Sequence, residues 1–209
     1  MEKKNTEILE KALENAAQEP WESIPDLGLY MDQVIGYLNS RLAFLTEEDE
    51  PLLSSSMVNN YVKAGILTRP KQKRYSREQL AELYMLCSLK QVLEIQDAAD
   101  VSEEFTKNHT ARDRYEALSL HQREAAEACR ARLDATEEDR EAQIALAVKL
   151  AVEAALCRAT AVRLIDTLRS EDAALRKAQK KADRAAAKAL REKARLARTK
   201  RKKQQNETD

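Results

Sequence analysis

Residues 53–77 read LSSSMVNNYVKAGILTRPKQKRYSR, and this stretch decides the fold. Its serines suit a helix N-cap, because a hydroxyl there accepts from an amide that has no partner inside the helix. The apolar spacing predicts a helix over about 55–64, with Met57, Val58, Tyr61 and Val62 on one side and Ser55, Ser56, Asn59, Asn60 and Lys63 facing out. Gly65 fits the left-handed residue that closes a helix, and Ile66 and Leu67 supply the apolar clamp after it. The segment Arg69 to Tyr75 is too short and polar for another helix and is expected as a small β-turn or wing. From Pro51 to Arg77 there are six Lys or Arg and no Asp or Glu. Ser76 then caps a helix over 77–94, its hydroxyl accepting from the amide of Gln79 or of Glu78. Leu80, Leu83, Tyr84, Leu86, Cys87, Leu89, Val92 and Leu93 make that helix apolar nearly all round, so it is expected at the centre of a core. A capped helix followed by a cationic turn is the build of a nucleic-acid reading head.

Towards the N-terminus, Asp26 or a neighbour begins a helix striped with Leu29, Tyr30, Val34, Ile35, Tyr37, Leu38, Leu42 and Leu45. Gly36 inside it costs about 1 kcal/mol relative to Ala, and a close helix crossing would account for it. Trp21, the single tryptophan, lies in a Pro-rich hinge and is expected as an apolar plug on the core. Residues 1–19 carry a weak helical stripe, and 46–50 form an acidic connector.

Towards the C-terminus the character changes. All three Gly and all four Pro lie at or before position 70, and the later residues are rich in Ala, Leu, Arg, Lys and Glu. Such composition favours long helices, so the chain is expected to be mostly α. A short element starts at Ile95, and a more polar helix follows over about 103–133, interrupted or not near Asn108. Thr136-Glu137-Glu138-Asp139 reads as a capping signature for a helix of about thirty residues. Its expected buried stripe is Ile144, Val148, Ala151, Val152, Ala155, Ala159, Val162 and Ile165. Ser170-Glu171-Asp172 reads as a second helix start. A weak Ala-type coiled-coil pattern follows it, and disorder is expected over the last twelve residues.

Composition narrows the functional classes. The formal net charge is zero, but residues 173–203 carry +12, which leaves −12 on the rest. That asymmetry suits an anionic partner for the tail. Cys87, Cys129 and Cys157 form no CxxC, and His109 and His121 have no neighbours at metal-ligand spacing, so no metal or other cofactor is expected. No signal-type apolar core opens the chain and no segment reads as a membrane span, so the protein is expected to be soluble and cytoplasmic. No phosphate-cradling Gly loop and no nucleophile–base spacing occurs, so no enzymatic activity is expected.

The segment SSSMVNNYVKAGIL, at 54–67, resembles the recognition helix of MerR-type winged helix-turn-helix regulators. The KRYSREQLAELYMLCSLK that follows resembles their wing and next helix. LGLYMDQVIGYLNS, SMVNNYVKAGIL, KQKRYSREQL and LKQVLEI together look like an uncharacterised bacterial family, domain of unknown function 1836, over roughly residues 20–100. The resemblance implies a MerR-like winged-helix domain over 20–100, preceded by an N-terminal extension over 1–19. Beyond the stretch that the resemblance covers, a helical bundle or dimerisation region is expected over 101–169 and a basic helical tail, disordered at the end, over 170–209. The resemblance also implies a sequence-specific DNA-binding transcriptional regulator that pairs as a homodimer through its C-terminal helices. Ser55, Ser56, Asn59, Asn60 and Lys63 would then face the groove, where Asn can bond adenine bidentately. Arg69, Lys71, Lys73, Arg74 and Tyr75 would form the wing, and about four phosphates neutralised there give a log-affinity slope of roughly −3.6 against log salt. The helix itself carries a single base, where MerR recognition helices usually carry Arg, so most of the grip falls to the wing. The alternative class is a helical scaffold or adaptor that binds protein through the winged helix and a coiled-coil-like arm.

Overall fold

A computed structural model describes residues 20–46, 51–106, 108–136 and 139–205, with side chains described as far as Arg184 except at 104–106. The helix expected over 1–19 and the acidic residues 47–50 lie outside the described residues. The described chain is mostly helical. Six α-helices occur among the described residues: α1 (Met31–Arg41), α2 (Ser55–Lys63), α3 (Arg77–Leu89), α4 (Ile95–Thr106), α5 (Ala111–Asp134) and α6 (Arg140–Gln205). Short 3-10 turns at Trp21–Ser23 and Ala43–Leu45 precede and follow α1. The only β pairing among the described residues is two isolated antiparallel bridges, Leu29 with Tyr75 and Lys71 with Arg74. No described helix is long and apolar enough to cross a membrane. The chain divides into two compact units, Met1–Val162 and Arg163–Asp209.

In the first unit, α3 is the central helix. Leu80, Leu83 and Cys87 are fully buried and Tyr84 nearly so, and α1, α4 and α5 pack around it. Burial raises the Cys87 thiol to about 11, as suits a side chain serving as a small hydrophobe. Helix α1 contributes Val34 and Leu38, and Leu42 follows it into the core; α2 contributes Val58 and Tyr61. Trp21 closes the cluster as a plug, its ring edge-on to Tyr115 at 5.9 Å, and Tyr115 is edge-on to Tyr84 at 5.8 Å. Such pairs contribute about 0.5–1.5 kcal/mol each beyond the area they bury. Tyr115 lies on α5, so the core that begins at Trp21 runs on past residue 100.

Several boundaries differ from the sequence expectation, each for a local reason. Helix α1 begins at Met31, not near Asp26, because Leu29 is extended and exchanges two backbone hydrogen bonds with Tyr75, at 3.0 and 2.9 Å. Gly36 meets no close helix: nothing lies within 4 Å of where its Cβ would be. Helix α3 ends at Leu89, with Lys90 as its C-cap. The polar helix expected over 103–133, interrupted or not near Asn108, is interrupted there, one helix ending at Thr106 and the next beginning at Ala111. Thr110 starts the second with a reciprocal cap, accepting from the Asp113 amide at 3.1 Å while its own amide donates to the Asp113 carboxylate at 2.8 Å. Thr136 does not cap α6. Its hydroxyl donates back to the Leu133 carbonyl at 2.7 Å, and Asp139 takes the role, accepting from the Ala142 amide at 3.0 Å.

The expected buried stripe of α6 is open over its first half: Ile144, Val148 and Val152 are between 55 and 60% exposed, and Leu156 beside them is exposed too. These side chains keep the helical spacing of a core stripe, but no described element covers them. The second helix start expected at Ser170 is absent, since α6 continues as a single helix to Gln205. Ser170 bonds backward, its hydroxyl donating to the Thr167 carbonyl at 2.7 Å, and so caps nothing. In the second unit Leu164, Leu168 and Leu175 are exposed. The helix there continues past Arg198, where disorder is expected, as Ala, Lys and Arg are strong helix formers.

Candidate nucleic-acid interface

Helix α2 presents a polar face because its ends and its inner side are fixed. At the N-terminus Ser54 accepts from the Met57 amide at 3.3 Å. One residue earlier, Leu53 is held by the Asn39 side chain of α1, which accepts from its amide at 2.8 Å and donates to its carbonyl at 2.9 Å. Lys90 reaches across from the end of α3 to donate to the Leu52 carbonyl at 2.9 Å. At the C-terminus the chain closes as a Schellman turn. Gly65 has φ +75°, the Ile66 amide donates to the Tyr61 carbonyl at 2.9 Å, and the Gly65 amide donates to that of Val62 at 3.3 Å. Val58 and Tyr61 anchor the inner side, and burial pushes the Tyr61 phenol up to about 12. Opposite them Ser55, Ser56, Asn59, Asn60 and Lys63 are all exposed. Those five residues fall on one side of the helix, as their spacing predicts.

The basic segment after α2 is a tight hairpin turn. Gln72 and Lys73 both have positive φ, 50° and 62°, and the Arg74 amide donates to the Lys71 carbonyl at 2.9 Å. Two consecutive left-handed residues are the type I′ geometry that matches strand twist, although Asn-Gly is its preferred sequence. Three attachments hold the turn. The first is the Leu29–Tyr75 bridge. The second is Gln79, whose side-chain amide donates to the carbonyl and hydroxyl of Thr68, at 2.7 and 3.1 Å, and whose oxygen accepts from the Ser76 amide at 3.0 Å. The third is Arg74, whose guanidinium lies 4.6 Å from the Tyr30 ring centre and donates to the Tyr30 hydroxyl at 3.0 Å. Gly28 permits that crossing, since a Cβ there would sit 2.9 Å from the Arg74 Cβ.

The ten residues that the sequence points to therefore divide by role. Ser55, Ser56, Asn59, Asn60, Lys63, Arg69, Lys71 and Lys73 are exposed and available to a ligand. Arg74 is exposed but engaged with Tyr30, so it braces the turn. Tyr75 is 3% exposed. Its ring belongs to the core and cannot stack on a base; it anchors the turn from beneath. Asn39, Gln79, Tyr30 and Gly28 complete the scaffold, and sequence reasoning does not assign them to it. Ser76-x-x-Gln79 is a readable capping box, but the reach of Gln79 to Thr68 has no signature in the sequence. Among the described residues no group of His, Cys, Asp and Glu comes together as a metal site. A family model described as a domain of unknown function (DUF1836) matches residues 19–123, about half of the chain. No curated protein and no solved structure matches it.

Proposed function

The chain belongs to the DUF1836 family, and from the geometry of its matched region we propose that it is a sequence-specific DNA-binding transcriptional regulator of MerR-like winged-helix type. The observation that carries this reading is the sequence of exposed groups on fixed backbone. A polar face of Ser55, Ser56, Asn59, Asn60 and Lys63 is followed by a cationic type I′ turn, with no acid from Pro51 to Arg77. In this mechanism α2 enters the major groove, where Asn59 and Asn60 read base edges and the serines bond phosphate. Arg69, Lys71 and Lys73 at the turn grip the backbone. With Arg74 held by Tyr30, three free cations imply a log-affinity slope of roughly −2.7 against log salt, at ~0.9 per phosphate.

The test is duplex binding by fluorescence anisotropy across a salt series, using duplexes selected from genomic fragments. Arg69→Ala, Lys71→Ala and Lys73→Ala together are expected to flatten the slope by roughly 2.7 while leaving the fold intact. Asn59→Ala and Asn60→Ala are expected to relax sequence preference, at about 1–3 kcal/mol for each bidentate pair with a base that is removed. Absence of salt-sensitive binding, or a slope indifferent to the triple change, defeats the reading.

A second reading has its own support in the exposed aliphatic face of α6 around Ile144, Val148, Val152 and Leu156. An apolar helical face of this kind suits another helix. In the DNA reading its occupant is a second copy of the chain, giving a homodimer with two reading heads. In the adaptor reading it is a different protein, and the α2 face then contacts protein as well.

A further inference from the structure

The later part of α6 is a cationic helix. Positions 173–203 hold fourteen Lys or Arg and two acids, Asp183 and Glu192, and the helix runs through them without a break. At 3.6 residues per turn, eleven of the fourteen cations occupy positions within an arc of about 160°. The two acids fall at the edges of that arc. Positions outside it hold mostly Ala, with Leu175, Leu190 and Leu196 as the only larger apolar residues. The cationic row runs from 176 to 202, about 39 Å at 1.5 Å per residue.

The described part of the row is open to a ligand. Arg176, Lys177, Lys180, Lys181 and Arg184 are all exposed. Arg176 reaches the Asp172 carboxylate at 3.9 Å, and Asp183 accepts from the Gln179 side chain at 2.9 Å. Among the described residues no ion pair engages Lys177, Lys180, Lys181 or Arg184. Like charges three and four residues apart on a helix repel one another, and a polyanion laid along the row removes that repulsion.

The chemistry of the row selects among polyanions. A helix that lies on a membrane sets large apolar or aromatic side chains opposite its cations. Here the opposite positions are mostly Ala, and no aromatic residue follows Tyr115. A DNA duplex instead offers one phosphate charge per about 1.7 Å of its axis, a density that suits a long unbroken row. Its major groove, about 12 Å wide, admits an α-helix, whereas the major groove of duplex RNA is deep and narrow. An arc of about 160° is broad enough to face the phosphates on both sides of such a groove.

We propose that this face of α6 is a second nucleic-acid contact, which seats in the major groove of B-form DNA and binds the flanking phosphates without reading sequence. A straight helix leaves the curving groove after a few turns, so about four phosphates are neutralised at once, a log-affinity slope of roughly −3.6 against log salt. The contact does not rest on what α2 reads.

The experiment is fluorescence anisotropy of a mixed-sequence DNA duplex across a salt series, with the full chain carrying Arg69→Ala, Lys71→Ala and Lys73→Ala so that the basic turn contributes nothing. This protein is expected to keep duplex binding with a slope of about −3.6. Adding Lys177→Gln, Lys180→Gln, Lys181→Gln and Arg184→Gln is expected to flatten the slope by about 3.6, with unchanged thermal unfolding, since Gln is a good helix former. The proposal is overturned if the first protein shows no salt-sensitive duplex binding, or if the four Gln changes leave its slope and affinity as they were. It is equally overturned if an RNA duplex of the same length competes as well as DNA, or if phosphatidylserine vesicles displace the duplex. Sequence preference in the parent protein reports on α2 alone, so the two nucleic-acid contacts fail separately.

Discussion

Gln79 shows how much of this domain hangs on single polar side chains. It is 8% exposed, and its side chain alone reaches Thr68 at one end of the basic turn and Ser76 at the other. Gln79→Ala is expected to destabilise the protein by about 1–3 kcal/mol, because it strips a cap and leaves the Thr68 carbonyl without a donor; urea unfolding at fixed pH measures it. Gly36 gives the opposite case. It sits mid-helix in α1 with open space around its Cα, so Gly36→Ala is expected to stabilise by about 1 kcal/mol, read as a higher denaturant midpoint with unchanged slope. At this scale the sequence is legible wherever the partner is near in the chain. Gly65 adopts the left-handed conformation expected of it, and Ser76 accepts from Gln79 as its position implies. It is not legible where the partner is remote. Asn39 looks like an ordinary helix-surface Asn until Leu53, fourteen residues on, folds against it.

Elements are set by their ends more than by their propensities. Three hydroxyls illustrate the rule. Thr110 faces forward and starts α5, whereas Thr136 and Ser170 bond back to the preceding turn and start nothing. Thr110 and Thr136 each have an Asp three residues on, and Ser170 has Glu and Asp directly after it, so the sequence alone does not tell a cap from a hydroxyl bonded back to the preceding turn. The Thr110 cap also predicts a pH response. Hydrogen bonds from the Thr110 hydroxyl and amide hold the Asp113 carboxyl below its ordinary value of 3.8. A depressed acid contributes stability that is present above the unfolded value and lost as pH falls through the folded one. Asp113→Ala is therefore expected to lower the melting temperature at pH 7, with the difference from the parent protein narrowing as the pH falls below about 4, in the range of the ordinary Asp value. A difference that stays constant across that range would mean the carboxylate's charge contributes nothing to the cap.

At the scale of the molecule, helical class and the position of α2 follow from composition and from the 53–77 stretch, but the fate of α6 does not. Apolar spacing predicts that Ile144, Val148 and Val152 seek cover, yet spacing carries no information about whether the cover belongs to the same chain. Under the homodimer proposal, Val148→Glu with Val152→Glu is expected to shift sedimentation to a monomer and to weaken duplex binding without unfolding α1–α5. An unchanged sedimentation coefficient in the parent and variant proteins would remove that interface. The attachment of the basic turn has a different kind of consequence. Thr68 and Ser76 are tied to one side chain, while the residues between Arg69 and Lys73 lie outside the core. Doubling the length of such a loop costs only about 0.6 kcal/mol in closure entropy. The segment is therefore open to evolutionary rewriting: insertions and charge changes can accumulate there while the rest of the domain keeps its sequence.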